Sequence, residues 1–252
     1  MLFRSGEIMR HGILLSSGAD IDFMIHGIFK YKFFGHEVWI TTTHVSVLIV
    51  MLILIGFGIV ARRTMLKATE VPGTFQNVIE LAVEMLNNMV MGTMGKCGKR
   101  FVNYIGTIFI FILFSNISGL FGLRNPTADY GVTLALALMT FTLIHFWQFR
   151  KNSIKEIWVG MCSPLPPWLP IWMPINLIGE IAVPISLSLR LFANVLSGLI
   201  MMALVYGLLG WFATIWPAAL HVYFDLFSGA IQTYVFCMLT MTYISDQFGD
   251  KE

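Results

Sequence analysis

The chemistry of this sequence rests on a few polar side chains set inside apolar stretches. Arg190 lies within ISLSLRLFANVLSGLIMMALV. A charge at the centre of a bilayer costs on the order of 3 kcal/mol even on insertion scales. Apolar flanks on both sides keep Arg190 from snorkelling to an interface, so it reads as functional. Ser186, Arg190, Asn194 and Ser197 recur at i, i+4, i+8 and i+11, one polar stripe along a helix. Ala193 and Gly198 flank the stripe and are small enough to let a neighbouring helix approach. In the last apolar stretch His221, Asp225, Ser228 and Gln232 fall at i, i+4, i+7 and i+11. An imidazole, a carboxylate, a hydroxyl and an amide on one face make a wet path or a proton relay.

Glu180 precedes Arg190 by ten residues, about 15 Å along a helix axis and about 80° away in azimuth. If Gln232 lies level with Arg190, Asp225 lies about 10 Å to the other side. Two acidic groups then flank a fixed positive charge, with neither beside it. That is the layout of two offset aqueous half-paths. Arginine keeps its proton, because its pKa exceeds ~12; it blocks a bare cation and favours the ionised form of a carboxylate brought near it. No mobile carboxylate is evident in the chain, so the scheme demands a partner that carries one. Plain helix packing would account for the serines and asparagine but not for the arginine. His145, near the inside end of its helix and beside Trp147, is expected to be a packed or interfacial histidine rather than a relay. No serine–histidine–acid set, P-loop or HExxH motif occurs, and Cys97, Cys162 and Cys237 lack metal-ligand spacing. Neither covalent catalysis, a cofactor nor a metal is expected.

These residues need helices that cross a membrane, and the composition supplies them. Of 252 residues, 57% are hydrophobic and 12% charged, about half the charge of a soluble domain. Mean hydropathy is +0.76. A soluble enzyme and a disordered chain are excluded, and a net charge of +2 suggests no nucleic-acid partner. Spanning segments are expected at about 43–61, 101–122, 131–149, 174–208 and 212–245. Arg62, Arg63 and Lys67, then Lys96, Lys99 and Arg100, then Arg150, Lys151 and Lys155, mark one side as the inside. The N-terminus is then outside and the C-terminus cytoplasmic. Residues 74–92 repeat apolar Val78, Leu81, Ala82, Met85 and Met89 opposite a polar face, an amphipathic helix for a membrane surface or a partner. Residues 163–174, SPLPPWLPIWMP, cannot continue a helix and read as an interfacial loop. Residues 1–42 read as an extramembrane or interfacial tail with a short interfacial helix and no ordinary signal peptide; 43–252 form the membrane domain. The expected fold is an all-α polytopic membrane protein, with about five transmembrane helices plus one amphipathic surface helix. Its last two helices are long and must tilt, bend or run partly along the membrane.

PINLIGEIAVPISLSLRLFANVLSG (174–198) closely resembles subunit a of the F-type ATP synthases, and AIQTYVFCMLTMTYIS (230–245) resembles that family's C-terminal signature. FIFILFSNISGLFG (109–122), VTLALALMTF (132–141) and VPGTFQNVIELAVE (71–84) look like its earlier segments, in the right order over about 60–246. The resemblance implies a non-catalytic FO stator subunit, its last two helices tilted against a rotor ring. It would offer protons, or Na+, two offset half-channels to and from the c-ring, coupled to ATP synthesis or hydrolysis. It implies that Arg190 faces the c-ring, that Asn194 and Gln232 line the same interface, that Asp225 sits in the outer half-channel and that Glu180 sits in the inner one. The surface helix would lie beside the peripheral-stalk b subunits, and the rest of the F1FO complex and the lipid bilayer complete the partners. The membrane would be a bacterial plasma (inner) membrane, with the mitochondrial inner membrane as the alternative. Ala193 replaces the family's common glycine, and Leu199 stands where some members carry a glutamate. Those members often have histidine at the position of Asp225, so the acid would have moved between helices. His221 is an additional titratable group. Two other readings compete. One is an independent ion channel or secondary transporter, which predicts inverted repeats around a midplane site. The other is a structural protein in which Arg190, Glu180 and Asp225 would be dispensable.

Overall fold

The computed structural model describes residues 27–33, 36–66, 73–121, 123, 125–151, 157, 173–209 and 216–248. The tail before residue 27 and the proline-rich stretch through 172 lie outside the described residues.

Two strands open the described chain, β1 (Gly27–Phe33) and β2 (His36–Thr41), paired antiparallel with Lys30 opposite Trp39 and Lys32 opposite Glu37. The short interfacial helix expected in this tail does not form over 27–41. The reason is legible in Phe29-Lys30-Tyr31-Lys32-Phe33, whose aromatic–lysine alternation has the period of a strand, in residue types that favour one.

The membrane body is helical: α1 (Thr42–Leu66), α2 (Thr74–Met94), α3 (Val102–Ile117), α4 (Tyr130–Lys151), α5 (Met173–Leu209), α6 (Trp216–His221) and α7 (Gly229–Phe248). Residues Val222–Ser228, between α6 and α7, form a π-helix, so that α6, the π segment and α7 make one continuous rod. Among the described residues five helical spans are long and apolar enough to cross a membrane. The protein is an all-α polytopic membrane protein in its body.

α1 is the most lipid-exposed of these. Only Thr43, Ser46 and Val50, at i, i+3 and i+7, are buried along it, and Phe57 meets Phe114 of α3 with ring centroids 6.4 Å apart. α2 turns Gln76, Ile79, Val90 and Met94 inward. Its apolar Val78, Leu81 and Met85 point outward, free for lipid or a partner. α2 ends where Gly95 adopts φ +60° and returns its N–H to the Met91 carbonyl, a conformation that suits glycine. Arg100 then lies 4.9 Å over the Trp147 ring, tying the start of α3 to the C-terminal end of α4. The core joins Val90 and Met94 of α2, Ile105, Ile108 and Ile112 of α3, Leu136 and Ile144 of α4, Leu187 and Leu191 of α5, and Phe236, Met241 and Ile244 of α7. α3, α4 and α7 form the centre, and α5 leans on α4.

Candidate ion-translocation site

The site is built on α5 and the rod beside it. Helix α5 runs 37 residues with Pro184 inside. Its inward face is Leu187, Ser188, Leu191 and Val195. The opposite side carries Ser186, Arg190, Ala193 and Ser197, all exposed on the surface of the chain, with Asn194 at the border. Apolar Ile185, Leu189, Ile200 and Leu204 surround the stripe and are exposed too. Among the described residues no carboxylate comes within ion-pair distance of Arg190. An arginine is thus held on an otherwise apolar outer face of a spanning helix, with no acid beside it among the described residues.

Two contacts fix the register between α5 and the rod. Ser228 Oγ donates to Asn194 Oδ1 at 3.2 Å. Gly198 sits against Phe224, where an added Cβ would lie 3.5 Å from the Phe224 Cβ. Moving up α5 from 194 to 198 moves down the rod from 228 to 224, so the two are antiparallel. Four residues the other way bring Arg190 level with Gln232. Gln232 is buried at 8% exposure, and its Nε2 has no hydrogen-bond partner. A buried amide nitrogen left open costs about 1–3 kcal/mol, so water or a partner group is wanted there.

Asp225 lies on the far side of that level, by about 10 Å along the axis. Its carboxylate is 12% exposed and meets His221 Nδ1 at 3.1 Å. Both stand at the π segment. A π-helix replaces i→i+4 pairing by i→i+5, and such segments inside α-helices are frequent at functional sites. The segment is locked from behind. Asn116 of α3, 2% exposed, donates through Nδ2 to the Gly229 carbonyl at 3.1 Å and to Thr233 Oγ1 at 3.4 Å. Asn116 Oδ1 accepts from Thr127 Oγ1 at 2.7 Å. Gly229, the first residue past the π segment, allows this approach: a Cβ there would fall 2.8 Å from the Asn116 Cβ.

Glu180 stands on α5 toward its other end, and it is not alone. His145 Nε2 of α4 lies 3.7 Å from Glu180 Oε2. The sequence treats His145 as a packed or interfacial residue; the structure sets it against the acid. Asn116 is not among the candidates read from the sequence, although a polar amide in an apolar run invites the reasoning that singled out Arg190. Nothing in the sequence signals the π segment, since α- and π-turns use the same residue types. Among the described residues no cluster of His, Cys, Asp and Glu could hold a metal ion.

Fold and site together define a polytopic membrane protein that places titratable side chains on both sides of an exposed arginine with no carboxylate beside it among the described residues. The family model of the ATP synthase A chain matches residues 44–245. The chain is 36% identical over 229 residues to the "ATP synthase subunit a, sodium ion specific" of Propionigenium modestum, covering 84% of this chain and 76% of that protein. It is 35% identical over 233 residues to ATP synthase subunit a of Acidiphilium cryptum, covering 84% and 90%. With that of Bacillus subtilis it shares 31% over 245 residues, covering 88% and 97%. The chain belongs to the subunit a family of the ATP synthases. It is a non-catalytic, ion-translocating stator subunit of the FO sector, a multi-pass protein of a bacterial membrane that associates with the rest of the ATP synthase complex.

Proposed function

We propose that the chain conducts protons along two half-paths that meet a carboxylate of the c-ring at Arg190. The exposed Arg190, with no carboxylate beside it among the described residues, carries this reading. A carboxylate carried past it on the ring stays ionised beside the guanidinium and takes a proton on either side. His221 and Asp225 supply the outer path, and Glu180 supplies the inner one. Ser186, Asn194, Ser228 and Gln232 line the passage between. One charge falling through 100 mV yields about 2.3 kcal/mol, so several protons cross per ATP. The outward apolar stripe of α2 is the seat of the peripheral-stalk b subunits. The N-terminal hairpin is outside and the C-terminus cytoplasmic, in the plasma membrane, as the basic residues at the inner helix ends favour. The extramembrane unit ends at about residue 42.

The test uses inverted vesicles carrying the whole complex. Arg190→Ala should abolish ATP-driven acidification while the complex remains assembled. Acidification at the wild-type rate in that variant would overturn the reading. The sodium-specific relative at 36% identity favours a second reading, in which the ion is Na+. ATP-driven Na+ uptake that resists protonophore would establish it, whereas acidification without Na+ that collapses with protonophore establishes protons.

A further inference from the structure

We infer that His145 and Glu180 act as one proton-holding pair at the inner end of the path, with His145 handing protons between Glu180 and water. The inference rests on the proposed role of Glu180. His145 Nδ1 lies 3.0 Å from the Phe141 carbonyl oxygen. A carbonyl only accepts, so Nδ1 keeps its hydrogen, and Nε2 is the nitrogen that gains and loses a proton. That nitrogen faces Glu180 Oε2 at 3.7 Å. A lone pair facing a carboxylate is repulsive, so the pair is drawn to take up one proton, as carboxylic acid with imidazole or as carboxylate with imidazolium. It passes through carboxylate with neutral imidazole each time it gives that proton to water.

The surroundings suit such a carrier. The two side chains are 22% and 30% exposed, neither sealed nor in bulk water. The Phe141 ring lies 4.0 Å from the imidazole, centroid to centroid, and holds it in place. Helices α4 and α5 pack along their length, from Tyr130 against Phe192 at one end to this pair at the other. Pro184 has no N–H to give to the carbonyl four residues earlier, which is that of Glu180. In a membrane that carbonyl needs another donor, and a water at the same turn would serve both it and the pair. The other charges near the pair on these helices are Arg150 and Lys151 on α4 and, ten residues away, Arg190 on α5. Arg100, which precedes α3, lies on the Trp147 ring.

The step is a simple transfer. Glu180 in its acid form gives the O–H proton to Nε2, leaving carboxylate and imidazolium. The imidazolium then gives that proton to water, forming hydronium and restoring imidazole. A small side-chain rotation closes 3.7 Å to hydrogen-bond distance.

The experiment measures ATP-driven acidification by the whole complex in inverted vesicles, normalised to assembled complex. His145→Gln and Glu180→Gln should each slow pumping by at least about tenfold, the low side of what a placed proton-transfer group contributes. The double variant should be no slower than the slower single one. External imidazole should restore His145→Ala, and pyrazole, a far weaker base, should not. His145→Asn replaces His145→Gln if the latter fails to assemble. Loss with Glu180→Gln alone, His145→Gln pumping normally, overturns the pair and leaves the proposed function standing. Losses that multiply in the double variant, with no rescue by imidazole, also overturn it, because they mark a packing role. Normal pumping by Arg190→Ala in the same assay overturns the proposed function and the pair with it.

Discussion

Asn116 shows how one side chain can govern a site it does not enter. It makes two hydrogen bonds to the rod just past the π segment and receives one from Thr127. Helix–helix hydrogen bonds in membranes contribute about 0.6 kcal/mol each, up to about 1.7. Asn116→Leu strips all three and leaves the Thr127 hydroxyl buried without its acceptor. It should destabilise the assembled complex by about 1–3 kcal/mol, read as a lower temperature of dissociation in detergent. Pumping should fall more than assembly does, since the π segment carrying Asp225 loses its anchor. Equal loss of both would mean that Asn116 only holds helices together. At this scale the sequence was most informative where a residue was costly. Arg190, Glu180 and Asp225 are legible because charge at membrane depth demands a reason. Asn116 and His145 are cheaper to bury, and their roles come from partners 113 and 35 residues away in sequence, which no local pattern displays.

The π segment and the length of α5 belong to the scale of elements. Asn116 meets Gly229 and Thr233, and Tyr130 meets Phe192. The turn between α3 and α4 therefore lies near the level of Arg190. α5 continues to Leu209 beyond it, about 26 Å further at 1.5 Å per residue. Helices that outrun their neighbours this far must lie obliquely to fit one bilayer. Their axial offsets then become partly sideways offsets, which would separate the two proposed half-paths along the direction of ring travel. Gly229 is where this arrangement is tightest. Gly229→Ala puts a Cβ 2.8 Å from that of Asn116, so α3 and the rod must part. Overpacking of this kind costs about 1–3 kcal/mol. Gly198→Ala meets Phe224 at ordinary contact, 3.5 Å, and should be tolerated. Comparing the yield of assembled complex for the two variants checks the difference. Helix existence and order were legible from apolar runs and basic ends. The hairpin was present as an alternation of aromatic and lysine residues but is short beside the helical signals. The π geometry was not legible at all.

For the whole molecule, the proposed orientation rests on charge. Arg63, Lys96, Lys99, Arg100, Arg150 and Lys151 cluster at one set of helix ends. Cysteines placed singly at Lys96 and Lys151 in a cysteine-free chain should react with membrane-impermeant maleimide in inverted vesicles but not in intact cells. One placed at Asp129, in the turn before α4, should do the reverse. The opposite pattern would invert the inner and outer paths. The exposed face of α5 has a consequence of a different kind. A chain inserted before its ring arrives shows Arg190 to lipid, at a penalty of order 3 kcal/mol. Meeting the carboxylates of the proposed ring partner would remove that penalty. In the proposed function the residue that gates the ion therefore also rewards association, and the stator helices gain from settling where the rotor is there to receive them.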